Sequence, residues 1–188
     1  DCFYRFNKGI DINGKTNFRM HGAGCQETRI SHYDSSVTDP FFTNEETDYS
    51  VIMSLHIYDL CFMDWVEAIH LVNAVDVEID NCLFHGCTSY AIYINATVGM
   101  KIHDNVFQLC QNGVRMVSDD ANSTSTYFER NWFQTITTTC VSINTSNNTR
   151  NFRTMYLVEY IFEYCASGLY ATGGYGACEF TANFNHLI

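Results

Sequence analysis

A sequence pattern that recurs between Val77 and Ile143 constrains the fold more than any other feature of this chain. In each full copy, two apolar residues stand two positions apart, a phenylalanine follows five positions later, and a small residue then opens a second alternating apolar segment. The second apolar residue of successive copies, flanking copies included, is Ile57, Ile79, Ile102, Phe128, Leu157 and Phe180. These marker residues lie 22, 23, 26, 29 and 23 residues apart. A period in the twenties indicates a solenoid of stacked repeats.

The shorter period inside each copy indicates strands. Apolar positions alternate with polar ones over short segments that are separated by Asn, Gly and Ser, a pattern typical of strands and turns. The signature and the helical half of leucine-rich repeats are missing. Three strands per copy therefore predict an all-β fold, a parallel β-helix of about seven coils that forms a single domain over 1–188.

The charge of the chain excludes some classes of partner. Ten Lys and Arg oppose 21 Asp and Glu, which gives a net charge of −11. A nucleic-acid backbone or an anionic membrane surface would be repelled, whereas a neutral glycan or a basic surface would not. No apolar run approaches the eighteen or so residues of a membrane span, so we expect neither a membrane span nor a nucleic-acid partner.

The cysteines follow the repeat rather than a metal-binding spacing. Cys87, Cys110 and Cys165 each come three residues after the phenylalanine of their copy, where other copies have Trp65 and Ile136. This placement predicts buried thiols. A Cys87–Cys110 disulfide between adjacent coils stays open, because neighbouring strands lie close enough for one. No C-x-x-C pair occurs, and we predict no metal and no cofactor.

The opening segment 9–30, GIDINGKTNFRMHGAGCQETRI, carries a family resemblance. It resembles the first coil of the pectate-lyase-like right-handed β-helices, particularly those of bacteriophage tailspikes. The resemblance implies a right-handed, single-stranded parallel β-helix that forms a homotrimer on a virion tail, binds bacterial surface polysaccharide and often cleaves it as a depolymerase. The same fold hosts lyases, hydrolases, epimerases and inert fibres. A non-catalytic extracellular adhesin or structural fibre is therefore the alternative.

Other segments interrupt or end the repeat. Residues 31–50 contain the only proline and five acids, and we predict an inserted surface loop there, either functional or simply solvated. The longer copies carry additions at 117–125 and 144–151, which leave the same strand and would wall one side of the solenoid. The chain stops within a coil, so we expect it to be part of a longer protein or to be covered by another subunit.

Two rows of outward residues are candidates for a site. One row is predicted to bind substrate and consists of His70, Tyr93, Arg115 and Tyr170, with Ser142 between the last two. Sugar rings offer an apolar face to aromatic side chains and hydroxyls to polar ones. The alternative is that these are ordinary outward strand residues.

The second row follows the marker residues and is predicted to be catalytic. It contains Asp80, His103 and Glu129, flanked by Glu78 and Lys101. Two coils separate the two acids of the row, which is about 9.6 Å and near the upper limit for inverting glycosidases. The alternative is a charge-balanced, solvated face. A third row, Asn105, Asn131 and Asn183, is interpreted as a structural turn device.

Overall fold

The computed structural model describes residues 2–33, 36–45, 54–118, 123–145, 152–173 and 180–187. Within them the chain forms strands and turns only. The strands in chain order are β1 Cys2–Phe6, β2 Ile10–Asp11, β3 Phe18–His21, β4 Thr28–His32, β5 Phe42–Glu45, β6 Leu55–Tyr58, β7 Cys61–Met63, β8 Ile69–Val72, β9 Val75–Asp80, β10 Leu83–His85, β11 Tyr90–Asn95, β12 Val98–His103, β13 Val106–Gln108, β14 Asn112–Val117, β15 Ser123–Glu129, β16 Trp132–Gln134, β17 Thr139–Thr145, β18 Phe152–Glu163, β19 Leu169–Gly173 and β20 Phe180–Leu187.

These strands stack into three columns, and every pairing within a column is parallel. Stack 1 contains β3, β6, β9, β12, β15, the first part of β18, and β20. Stack 2 contains β1, β4, β7, β10, β13, β16 and the second part of β18. Stack 3 contains β2, β5, β8, β11, β14, β17 and β19. The long strand β18 joins stacks 1 and 2 into one 13-stranded sheet, and stack 3 is a 7-stranded sheet.

The architecture is a parallel β-solenoid, as predicted. Each turn contributes one strand to each stack, and about six turns lie within the described residues, close to the predicted seven. No helical segment of these residues has the length and apolarity needed to cross a bilayer.

A ladder of phenylalanines fills the interior behind stack 2. The rings of Phe84 and Phe107 lie 4.9 Å apart and nearly parallel, and those of Phe107 and Phe133 lie 4.5 Å apart. Phe62 and Phe162 extend the ladder at its two ends. Strand spacing in a parallel sheet is close to the preferred stacking distance of aromatic rings, so one inward phenylalanine per turn packs against the next.

The turn between stacks 1 and 2 is held by the predicted asparagine row, and it is structural. The buried Asn131 side chain accepts a hydrogen bond from the Asn105 backbone N–H at 3.1 Å and donates to the Ile102 carbonyl at 2.8 Å. Asn105 makes the same contacts one turn earlier, with Cys82 and Ile79. The amides therefore satisfy backbone groups that the turn leaves without strand partners.

Two details of this row differ from the sequence prediction. Positive φ belongs to the residue before each asparagine, Asp104 at 56° and Arg130 at 49°, and not to the asparagine itself. Asn183 does not continue the row, because β20 is offset by two residues: Phe180 pairs with Met155, and Ala182 rather than Phe180 pairs with the marker Leu157. The long strand β18 contains register shifts around Tyr160, which the repeat pattern does not reveal.

The segment 31–50 is not entirely a loop. Residues 42–45 form β5 in stack 3, and Phe41 and Phe42 are fully buried. Over that part, a buried aromatic pair and a strand that pairs with β8 in stack 3 replace the predicted surface loop. Residues 34–35 and 46–50 lie outside the described residues, as do 119–122 and 146–151 of the two predicted additions.

The described cysteines are free thiols. Cys87 and Cys110 are buried, as predicted, and no disulfide joins them. Cys165 is only partly buried. Trp65 and Ile136 fill the same position in their own turns and are buried as well.

Candidate functional site

The outer surface of stack 1 carries two rows of polar side chains on either side of the buried marker residues. The predicted catalytic residues form one of them: Asp80 pairs with His103, and His103 pairs with Glu129, on β9, β12 and β15. In the flanking row, Lys101 lies between Glu78 and Tyr127. The repeat therefore placed these side chains in the correct register, while their catalytic role stays a prediction.

His103 bonds to acids other than the two that the sequence suggested. Its Nε2 lies 3.2 Å from Oε1 of Glu78, and its Nδ1 lies 2.8 Å from Oδ2 of Asp104. Asp80 instead lies 2.6 Å from Nε2 of His56. His103 thus lies between Asp80 and Glu129 in the row, as predicted, but its hydrogen bonds go to Glu78 and Asp104.

Burial and the two acids act on His103 in opposite directions. Burial alone would lower the pKa of His103, but the hydrogen bonds with Asp104 and Glu78 and the nearby charge of Asp80 raise it above its ordinary value. For Glu78, burial again acts against the net shift, and the hydrogen bond from His103 with the charges of His56 and Lys101 lowers its pKa. Both shifts act in the same direction, because each favours the charged form of its group next to the other.

Arg130 contacts two further acids next to His103, Asp104 and Glu129. Its Nε and Nη2 each lie 2.7 Å from one carboxylate oxygen of Asp104, and its Nη1 lies 3.0 Å from Oε2 of Glu129. The bidentate bond from Arg130, followed by the bond from His103, lowers the pKa of Asp104 to about 2 although burial opposes the shift. Arg130 therefore fixes both a turn acid and the predicted catalytic Glu129.

A depression of about 320 Å³ opens on this face. Its lining residues are Glu78, Lys101, His103, Tyr127, Glu129 and Arg130. Two of the three predicted catalytic residues, His103 and Glu129, line the depression, whereas Asp80 does not. Tyr127 stacks on Tyr156 with ring centres 5.0 Å apart, which holds the ring at the edge of the depression.

The sequence prediction missed His56, Asp104 and Arg130. Each lies at a repeat position that the alignment of copies defines: His56 pairs with Glu78, and Asp104 and Arg130 are the residues that immediately follow His103 and Glu129. Reading the turn position as a row of its own would have placed Arg130 beside Asp104. Their side-chain pairing is not visible in any single copy.

The predicted substrate-binding residues lie on a different sheet. His70, Tyr93, Arg115 and Tyr170 follow one another along stack 3, with Ser142 between the last two, and none of them lines the depression of stack 1. The catalytic and substrate-binding predictions therefore do not converge on one pocket.

Stacking within this row limits how a sugar can bind. The rings of His70 and Tyr93 lie 4.3 Å apart at 24°, and the Arg115 guanidinium carbon lies 5.8 Å from the centre of the Tyr93 ring. Glu67 orients His70 through a 2.7 Å contact with Nδ1 and accepts a hydrogen bond from Ser89. Because Tyr93 is sandwiched between His70 and Arg115, both faces of its ring are occupied. The substrate-binding role of the row stays a prediction.

A metal site has no geometric support in the part of the chain that the structure describes. There, no group of three or more His, Cys, Asp and Glu side chains is arranged to hold an ion. What the face of stack 1 offers is proton exchange and hydrogen bonding by His103, Glu78, Glu129 and Arg130.

No family model matches this chain, and no curated protein matches it. Among solved structures, it is similar to ORF18 of Geobacillus virus E2, with 16% identity and a TM-score of 0.27 over 97% of this chain and 52% of that one. It is also similar to endopolygalacturonase I from Stereum purpureum complexed with two galacturonate, with 8% identity and a TM-score of 0.25 over 99% of this chain and 95% of that one. The chain spans about half the length of the viral protein. Likenesses this distant do not extend to the site, and the function has to be argued from the residues.

Proposed function

We propose that the protein binds a bacterial surface polysaccharide and hydrolyses it in the depression of stack 1. The observation that carries this proposal is the grouping of His103, Glu129, Glu78 and the Tyr127 ring around one open depression. A polysaccharide site needs an extended, open surface with carboxylates, hydrogen-bond donors and an aromatic ring. Successive turns of a solenoid repeat such a surface along its axis.

The pKa directions suggest which group carries the proton. His103, with its raised pKa, is the general acid that protonates the leaving oxygen. Glu78 and Asp104 hold its ring and retain its proton until the leaving oxygen of the substrate replaces Glu78 at Nε2. Glu129 lies one strand away, about 4.8 Å, which is close to the separation used by retaining glycosidases. Its carboxylate therefore attacks the anomeric carbon while the bond to the protonated leaving oxygen breaks, and a water that gives its proton to His103 then hydrolyses the glycosyl ester and frees Glu129.

Asp80 is proposed as a positioning residue. It holds His56 at 2.6 Å, and His56 in turn lies 3.8 Å from Glu78. Because Asp80 does not line the depression, its effect on the reaction passes through His56 and Glu78. This replaces the acid pair of Asp80 and Glu129 that the sequence suggested.

A reducing-sugar assay on bacterial capsular and O-antigen polysaccharides tests the proposal. Glu129→Gln and His103→Gln should each lower the cleavage rate by roughly 10² to 10⁴, and Asp80→Asn should have a smaller effect. The rate should also fall as pH rises through the raised pKa of His103, because the general acid loses its proton.

Glu163→Gln is the matched control, since it makes the same change on stack 2, where Glu163 accepts bonds from Trp132 and Gln134. Full activity in both Asp80→Asn and Glu129→Gln would exclude this site. A larger effect of Asp80→Asn than of Glu129→Gln would restore the original acid pair.

The second candidate function is a non-catalytic adhesin or fibre, and the ion pairs favour it. Asp80 meets His56, Asp104 meets Arg130 and His103, and Glu129 meets Arg130. A solvated face that only balances its charges would have this arrangement. Binding of a glycan without any cleavage product would decide for the adhesin.

The resemblance to tailspikes extends the proposal to the whole protein. We place it in a homotrimer on a virion tail or another extracellular surface. Light scattering on the purified protein tests the trimer: a mass of one chain at every concentration would contradict it.

A further inference from the structure

Arg115 stands out on stack 3 because it has no acidic partner among the residues that the structure describes. The chain has 21 acids against ten Lys and Arg, and the strands β14, β17 and β19 contain no other charged residue. Among the described residues, no carboxylate lies within ion-pair distance of Arg115, whereas Lys101 and Arg130 on stack 1 both have one. A guanidinium is always ionised and prefers a bidentate carboxylate.

The Arg115 side chain is nevertheless held in place. Its Nη1 donates to the Tyr90 hydroxyl at 2.8 Å, and its guanidinium carbon lies 5.2 Å from the Tyr90 ring centre and 5.8 Å from that of Tyr93. These contacts leave Nε and Nη2 as donors without a partner in the described residues. They also draw the guanidinium toward β11, away from the next strand on the other side.

A gap follows on that other side. Arg115 pairs with Ser142, and Ser142 pairs with Tyr170, so a small side chain separates two long ones. The Tyr170 side chain is 56% exposed. Among the described residues it has no hydrogen-bond or ring-stacking partner, unlike Tyr93, Tyr127 and Tyr156. Arg115 and Tyr170 thus flank an open slot, and Ser142 lies at its base.

We infer that this slot over Ser142 binds an acidic sugar ring, a uronic acid unit, between Tyr170 and Arg115. The inference rests on the proposed polysaccharide-binding function and names the sugar class and the subsite. The net charge of −11 disfavours anionic partners in general, but β14, β17 and β19 contain no acid, and Arg115 is their one charged residue. The walls are two strand spacings apart, about 9.6 Å. A puckered ring with carbon contacts of about 3.5–4.0 Å on each side needs roughly 8–9 Å. Tyr170 contacts the apolar face of the sugar, Arg115 binds its carboxylate, and Ser142 contacts a ring hydroxyl.

Calorimetric titration with two matched sets of oligosaccharides tests the inference. One set consists of capsular oligosaccharides that contain glucuronic acid, and the other consists of the same molecules with each carboxyl reduced to an alcohol. The protein should bind the acidic set at least about tenfold more tightly, because only that set can form a charge-assisted bidentate bond with Arg115. Arg115→Gln should abolish that preference, and Ser142→Leu, which fills the slot, should weaken binding of both sets.

Two variants serve as controls. Lys8→Gln removes an equal charge at an exposed position, and Thr43→Leu adds bulk in the same row of stack 3 at its other end. Both should bind like the unaltered protein. Tyr170→Ala gives a second test of the slot should Ser142→Leu unfold, and thermal unfolding of each variant verifies the fold.

The outcomes separate the inference from the proposed function. Equal binding of the two sets, or unchanged binding by Arg115→Gln and Tyr170→Ala, overturns the acidic-sugar slot while cleavage that depends on Glu129 upholds the function. Failure of the unaltered protein to bind any oligosaccharide in either set overturns both.

Discussion

The inside of stack 2 and the outside of stack 1 are built from the same repeat but follow different rules. Inside, each turn places a phenylalanine on the phenylalanine of the previous turn, and an amide on the previous amide. Outside, the charged positions of successive turns place unlike groups together: Glu78 is followed by Lys101, and Asp80 by His103. Packing in a dry interior favours identical neighbours at the strand spacing, whereas charge on an exposed sheet favours opposite neighbours.

The difference also separates the residues that stabilise the fold from the residues that can be substituted without unfolding it. The interior ladder excludes water and fixes the register of every turn. The outer ionic cluster is solvated, so its pairs contribute little to stability, and its residues can be selected for binding or chemistry. Variants in the two regions should therefore differ in kind as well as in size.

The largest expected effect comes from the middle of the phenylalanine ladder. Phe107→Ala removes a fully buried ring that stacks at 4.9 and 4.5 Å on its two neighbours. We expect the free energy of unfolding to fall by about 3–5 kcal/mol, measured by urea denaturation. Gln108→Ala, next to it on the outer face, is the control and should cost far less. A loss below about 1 kcal/mol for Phe107→Ala would show that the turns do not share one core.

A medium effect is expected in the asparagine row. Asn131→Ala leaves the Asn105 backbone N–H and the Ile102 carbonyl buried without their present partners. Two unsatisfied groups should lower the free energy of unfolding by about 1–3 kcal/mol. The exposed Thr138→Ala is the matched surface control. Equal stability of the two variants would mean that water replaces the amide, and the row would not be a structural requirement.

The contrast between the two regions also explains what the sequence could predict. Repetition of like residues is visible along the chain, so the markers, the phenylalanine ladder and the asparagine row were found, and with them the register of Asp80, His103 and Glu129. The side-chain partners of those three residues could not be predicted, because a side chain on an open face has several neighbours within reach. His103 has Glu78 and Asp104 within reach and bonds to these.

The structure of the irregular segments could not be predicted from the sequence, for a related reason. Strand β5 follows a polar stretch and contains Phe42-Thr-Asn-Glu, of which the first residue alone repeats the pattern. Strand β20 keeps the pattern, but it pairs with β18 two residues out of the predicted register from its first pair, Phe180 with Met155, and register shifts follow around Tyr160. Neither the fate of a short segment after an insertion nor a bulge in a neighbouring strand is encoded in the spacing of apolar residues.

The smallest expected effect is the pH dependence of the outer cluster, which contains Glu78, His103, Asp104 and Arg130. It tests whether this cluster contributes little to the stability of the fold. The pKa of His103 is raised in the folded protein, so its contribution to stability is complete below the unfolded value, near 6.5, and is lost as pH rises through the folded pKa. Asp104 has the opposite sign: its contribution is present above its unfolded pKa and is lost as pH falls toward about 2. The side chain of Asp104 is 43% exposed, so solvent screening keeps its contribution below about 1 kcal/mol.

Titration of the His103 ring by NMR measures this directly. Its pKa should lie above that of a free histidine, and Asp104→Asn should lower it, because one of the two carboxylates that are hydrogen-bonded to the ring is gone. Asp59→Asn, at the same turn position two turns earlier, is the control and should leave the titration unchanged. Two results together would contradict the division between the two regions: an unaltered pKa of His103 in Asp104→Asn, and a loss of stability in His103→Gln as large as that in Asn131→Ala. The outer cluster would then be part of the structural core.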